Sequence, residues 1–204
     1  MAIDLEKGQR IDVGLQHITV GLGWDPNETG GEDFDLDASA FLLGENGKLI
    51  TDDHFVFYNN LCGRGHKGSD TQNDCMDAGC TSGRFGVMHT GDDPSGNASD
   101  GDDDEAIEVL FDKVPSGVQE IIFVVTIHDY EARRQNFGQV DNSYIRIVDE
   151  ARGIEIAKYE LGEDFSIETA VEFGKLYRYR GKWKFQAMGD GRKDGLGFYV
   201  NKYR

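Results

Sequence analysis

Proline is scarce in this 204-residue chain, at 3 residues, and cysteine stops at an odd count of 3. Few prolines beside 27 glycines suit many turns between short strands better than long helices. An odd cysteine count leaves one thiol over in any disulfide scheme, and a chain of this length can bury a core without such staples. Long apolar runs are missing too: none approaches the roughly 20 residues that a membrane-spanning helix needs. The opening Met1-Ala2-Ile3-Asp4-Leu5-Glu6-Lys7 carries acidic residues where a secretory signal has a basic end and then an apolar stretch. The expected location is therefore cytoplasmic.

Positive charge is in deficit, with 21 Lys and Arg against 38 Asp and Glu, for a net charge of −17. Such a chain repels polyphosphate, so nucleic acid is not expected as a direct partner. The imbalance is uneven. Asp92 to Glu105 holds seven acidic residues and no basic one, whereas residues 174–204 hold nine Lys and Arg against Asp190 and Asp194. That basic end can be a plain solvated face, meet an acidic surface, or fold back on the acidic loop.

What is present reads mainly as strand. Apolar content of 38%, including 12 Phe and 8 Tyr, is enough for one core. Ile18–Leu22, Phe34–Ala40, Phe55–Tyr58, Tyr144–Val148, Glu155–Leu161, Thr169–Tyr179 and Trp183–Ala187 have strand character. Phe34–Ala40 alternates as a strand with one buried face does. Ile121–Ile127 is apolar on both faces and predicts a central strand. A short helix is expected at Tyr130–Phe137, with Asp129 placed to cap it. The fold class is mainly β: a two-sheet sandwich with one or two short helices and long metal-binding loops.

Two stretches fit neither strand nor ordinary turn. One is the Gly- and Cys-rich segment 62–88; the other is the acidic loop from His89 to Glu105. Crowded carboxylates repel one another, and a hard divalent cation removes that cost. Calcium suits a flexible loop because it accepts six to eight oxygens in loose geometry. The spacing is not that of an EF-hand, since Glu105 stands where that loop needs Gly. Asp35 and Asp37, two apart on a strand, leave the same face. With Asp25 and Asp33 near in sequence they form either a wall for the acidic loop or outward polar positions that discourage edge pairing.

These residues also carry a resemblance. Gly21-Leu22-Gly23-Trp24-Asp25, Phe34–Leu42, His54–Leu61, His89-Thr90-Gly91-Asp92, Asp100–Glu105, Thr126-Ile127-His128-Asp129, Asn136–Val140 and Phe173–Arg178 lie in the order found in the TerD family of tellurium-resistance and stress-response proteins, which the chain resembles over most of residues 1–190. The resemblance implies a calcium-binding β-sandwich in the cytoplasm, among other stress-response proteins in partly membrane-associated assemblies; a non-enzymatic binding or scaffold role is the expectation. The family's acidic motif maps to Asp92, Asp100, Asp102, Asp103, Asp104 and Glu105. Asp93 stands where the family usually has Asn, and the loop is slightly longer. Asp25, Asp35, Asp37 and Asp93 complete the expected calcium set. The chain is expected to be one TerD-like domain, 1–204, with 62–88 as an insertion that opens separately from the sandwich.

Within that insertion, Cys62, His66, Cys75 and Cys80 make a Cys₃His set that tetrahedral zinc accepts; free thiols or a disulfide are the alternatives. The enzyme reading rests on the same acidic loop: a metal-dependent phosphoester hydrolase with His128-Asp129 as acid or base. A cyclic-nucleotide-binding role is a further alternative that the resemblance suggests. Against catalysis, no phosphate-binding Gly loop precedes a helix and no nucleophile elbow is present.

Overall fold

The computed structural model describes residues 7–12, 16–28, 30–63, 83–96 and 103–204. Two antiparallel sheets face each other, as the strand pattern predicts. The larger has β1 (Arg10–Asp12), β11 (Lys182–Arg192), β10 (Ala170–Tyr179), β7 (Glu120–Ile127), β3 (Leu36–Leu43) and β4 (Phe55–Val56), in that order. The smaller runs β5 (Val87–His89), β6 (Glu105–Leu110), β2 (His17–Gly23), β8 (Tyr144–Asp149), β9 (Ile154–Glu160). Side chains alternate across a strand, so β2 sends Ile18, Val20 and Leu22 into the space between the sheets, where Ile121, Phe123 and Val125 of β7 meet them.

β7 is interior, as its two apolar faces require. Its other face, Ile122 and Val124, packs with Phe41 and Leu43 of β3 beneath Tyr199 and Tyr203. Those tyrosines belong to a helix that the strand reading did not anticipate, α3 (Leu196–Tyr203). Its presence corrects the expectation for β3: all eight residues are buried, because both faces are covered. The chain end is tied down by Leu49 N donating to Tyr203 O at 2.7 Å and by a Lys202–Glu172 ion pair.

The helix expected at 130–137 divides in two. The α-helical part, α1 (Tyr130–Arg133), ends where Arg134 turns left-handed (φ 56°), and a 3-10 turn follows at Phe137–Gln139. Asp129 does precede α1, but with φ 48° and no side-chain cap; its carboxylate lies 3.5 Å from His128 Nε2 instead. A second short helix, α2 (Leu161–Asp164), closes β9. Among the described residues no helix is long and apolar enough to cross a membrane.

The expected insertion 62–88 does not end outside the sandwich. Val87 and Met88 begin β5, paired with β6, and Val87 lies in the core. Phe85 stacks on His54 with ring centroids 3.8 Å apart. Cys62 is buried with Leu61 and Met88. His66, Cys75 and Cys80, the rest of the zinc set, lie outside the described residues.

Candidate metal centre

β3 and β7 bring the first two carboxylates to the sandwich end. Asp37 pairs with Thr126 across the ladder, and His128 N donates to Asp35 O at 2.8 Å. Asp35 and Asp37 therefore sit at a fixed spacing on one face. A third comes from the segment after β5: one carboxylate oxygen from each of Asp35, Asp37 and Asp92 lies within 4.8 Å of the others.

Glu105 is the clamp that holds this segment against β3. It is 1% exposed, at the head of β6. Its Oε2 accepts from Ala38 N at 2.8 Å, and its Oε1 from Asp93 N at 3.3 Å. His89 Nε2 stands 3.4 Å from the same carboxylate. Asp93 turns its own Oδ1 to Ser95 N and Oγ, both at 3.0 Å, which shapes the loop beyond. Glu105 and Asp93 thus adjoin the trio and position it.

The electrostatics of the trio are unfavourable without a cation. Burial pushes the Asp37 carboxyl up to about 9, and the charges of Glu105, Asp35 and Asp92 add to that rise. Burial also raises Asp35, against the opposing pull of His128 and of Arg133, whose Nη2 is 3.3 Å from Asp35 Oδ2. The donor set is all oxygen, which suits a hard cation. Oxygens on opposite sides of one calcium ion stand about 5 Å apart, given Ca–O distances of roughly 2.3–2.6 Å. A span of 4.8 Å fits that limit.

Other acidic residues have different partners. Asp25 Oδ2 accepts from Asn142 Nδ2 at 2.7 Å. Asp104 Oδ2 accepts from Trp24 N at 2.9 Å. Asp103 Oδ1 receives Arg146 Nε at 2.8 Å and the Tyr144 hydroxyl at 3.1 Å. This arrangement needs glycine in β2: a Cβ on Gly21 would overlap the Asp103 carboxylate, and one on Gly23 would overlap the Tyr144 ring. Asp103 and Asp104 fasten the end of the acidic loop to β2 and β8. Asp100 and Asp102 lie outside the described residues.

Sequence reasoning named His89 only as part of a motif and did not single out Arg133 or Arg146; it assigned none of them as the basic partners of Glu105, Asp35 and Asp103. Their type was the only signal, since each is a basic side chain that needs an acid once the fold closes. The His128-Asp129 pair does reach the site, with His128 Nδ1 3.8 Å from Asp37 Oδ2. It borders a cleft of about 660 Å³ between the end of β7 and the start of α3.

Comparison with known proteins agrees with this architecture along the whole chain. The TerD domain family matches residues 1–203. The chain is 46% identical over 208 residues to the tellurium resistance protein TerD of Serratia marcescens, covering 100% of this chain and 97% of that protein. It is 46% identical over 209 residues to general stress protein 16U of Bacillus subtilis (strain 168), again over 100% and 97%. A crystal structure of a homologue of telluride resistance protein TerD from Streptomyces coelicolor A3(2) superposes with a TM-score of 0.68. It covers 92% of this chain and 96% of that one, at 16% identity, and so speaks for the fold alone. With relatives of nearly half identity along its full length and the same sandwich in a solved homologue, the chain belongs to the TerD family.

Proposed function

We propose that this protein is a calcium-binding stress-response protein of the tellurium-resistance type, which works in the cytoplasm by binding, as a scaffold component among other stress proteins, and not by turnover. Its relatives are tellurium resistance and general stress proteins by name. The observation that carries the calcium reading is the convergence of Asp35, Asp37 and Asp92 within a single ion's reach. Glu105 and Asp93 keep the third carboxylate in place, and backbone oxygens or water complete the six to eight ligands.

Calorimetry on metal-stripped protein tests this. Calcium should bind saturably and raise the melting temperature, with about 2.7 kcal/mol of added stability at a hundredfold excess over Kd. Magnesium, which demands tight octahedral geometry, should substitute poorly. Asp37→Asn should abolish the calcium response while leaving the circular dichroism of the strands unchanged. An unaltered calcium isotherm in that variant would move the ion elsewhere. Phosphoester turnover by manganese-loaded protein, lost in Asp37→Asn, would replace the binding role with a hydrolytic one.

A further inference from the structure

Basic charge in this acidic chain gathers on one sheet face. Residues 173–189 hold Lys175, Arg178, Arg180, Lys182 and Lys184 and no Asp or Glu. They make the hairpin of β10 and β11, and the register sets their direction. Lys175 stands across from Ile122 of β7, which faces α3, so Lys175, Tyr177 and Tyr179 continue that outer face along β10. Gln186, Lys184 and Lys182 are their partners on β11, and Arg10 of β1 lies beside Gln186. Arg178 points the other way and donates to the Val118 and Val114 carbonyls, which pins the hairpin to the loop before β7.

Two acids on this face have local partners: Glu120 takes Lys175, and β1 sets Asp12 across from Lys184. Arg10, Arg180 and Lys182 are exposed, and among the described residues no carboxylate pairs with any of them. Tyr179, also exposed, has Arg180 and Lys184 over its ring, each 5.2 Å from the centre, so the charges are held out on a fixed surface. The chain's own acidic loop is too far away to cover them. Asp37 is level with Thr126 on β7 and Tyr177 with Glu120. Those two positions of β7 are about 20 Å apart at roughly 3.4 Å per residue, and Tyr179 lies further still. The loop hangs at the Asp37 end, where Gly96 lies against Trp24 and Asp104 N donates to Leu22 O. The chain from Gly96 to Asp103 spans at most about 25 Å fully extended, so out and back it reaches only about 12 Å. Carboxylates for the basic face must therefore come from another molecule, and a second copy carries them: seven acids and no basic residue in 92–105, at the opposite end of the sandwich.

We infer that the outer face of β1, β11 and β10 docks the acidic loop 92–105 of a second copy, head to tail. Because the contact joins opposite ends, it leaves a free face and a free loop in every pair, and short chains grow as concentration rises. The net charge of −17 on each copy keeps it weak and sensitive to salt. The contact needs no metal; calcium on the trio would lower the charge of the acidic end and so loosen it.

Sedimentation velocity in chelator, at about 0.1 M salt, tests the contact. The average mass should rise with protein concentration and return to one chain at about 1 M salt, where the screening length is only about 3 Å. A face variant, Arg180→Gln with Lys182→Glu, should stay monomeric, and so should a loop variant, Asp100→Asn with Asp102→Asn; circular dichroism checks that each is folded. The face variant keeps its loop and the loop variant keeps its face, so mixing them should give pairs and nothing longer. A parent that stays at one chain up to its solubility limit would overturn the docking, as would association lost in only one variant or a mixture that forms no pairs. Binding of a monomeric parent to phosphatidylserine vesicles, lost in the face variant, would assign the face to a lipid surface instead. Calcium titration of the face variant reads the metal centre by itself, so the two proposals can fail independently.

Discussion

Asp37 holds a carboxylate in a place that costs free energy unless a cation stands beside it. Its carboxyl is pushed up to about 9 from 3.8, chiefly by burial and then by its acidic neighbours. Between those two values the folded, metal-free protein holds a proton that the unfolded chain has released. The contribution of this one group to stability is therefore fully present below about pH 4 and is lost as pH rises toward 9. Asparagine carries no such proton. In chelator, urea unfolding of Asp37→Asn should lose less stability across this range than the parent, and calcium should flatten the parent's decline by replacing the proton. Matching profiles for parent and variant would mean that Asp37 is not the burdened group. Sequence alone pointed to Asp35, Asp37 and Asp92, because strand spacing and acidic density are local properties. It could not separate ligands from fasteners. Asp103 and Asp104 look like their neighbours in composition, and only folding puts Arg146 and the Trp24 amide beside them.

Among the elements, legibility followed the period. Strands with clean alternation or β-branched runs, such as β2, β7, β8 and β10, fall within a residue or so of where the pattern places them. β6 was missed because it opens on Glu105, which composition assigns to the acidic loop; nothing local reveals that its side chain turns inward to His89. α3 was missed for a different reason. Leu196, Tyr199, Val200 and Tyr203 have the helical spacing of three and four, but the helix is one short amphipathic piece amid glycine and charge. Its packing explains why β7 is apolar on both sides. Tyr199 is fully buried against Phe41, Ile122 and Val124. Tyr199→Ala should cost about 3–5 kcal/mol, in line with large aromatic truncations, read as a lower urea midpoint. A loss below about 1 kcal/mol, the range of ordinary surface substitutions, would mean that α3 is only loosely seated on the sheet.

Over the whole molecule, a net charge of −17 opposes compactness, and the basic C-terminal stretch offsets only part of it. Where its partners are described, that stretch pairs with nearby acids: Lys175 with Glu120, Lys202 with Glu172, Arg204 with Asp52. These pairs join the basic end to its own sheet and its flank, so the repulsion around Asp92 to Glu105 must be met in another way. Two remedies differ in their concentration dependence. Monovalent salt screens charge gradually, shortening the screening length from about 30 Å at 0.01 M to about 10 Å at 0.1 M. A bound divalent ion acts by occupancy and saturates near its Kd. Raising sodium chloride over that interval should therefore lift the melting temperature of metal-free parent and of an Asp35→Asn, Asp37→Asn double variant alike. Calcium added at constant ionic strength should produce a further, saturating rise in the parent and none in the double variant. If calcium and sodium at matched ionic strength raised the parent equally, the cation effect would be diffuse, and the carboxylate trio would be an acidic surface without a resident ion.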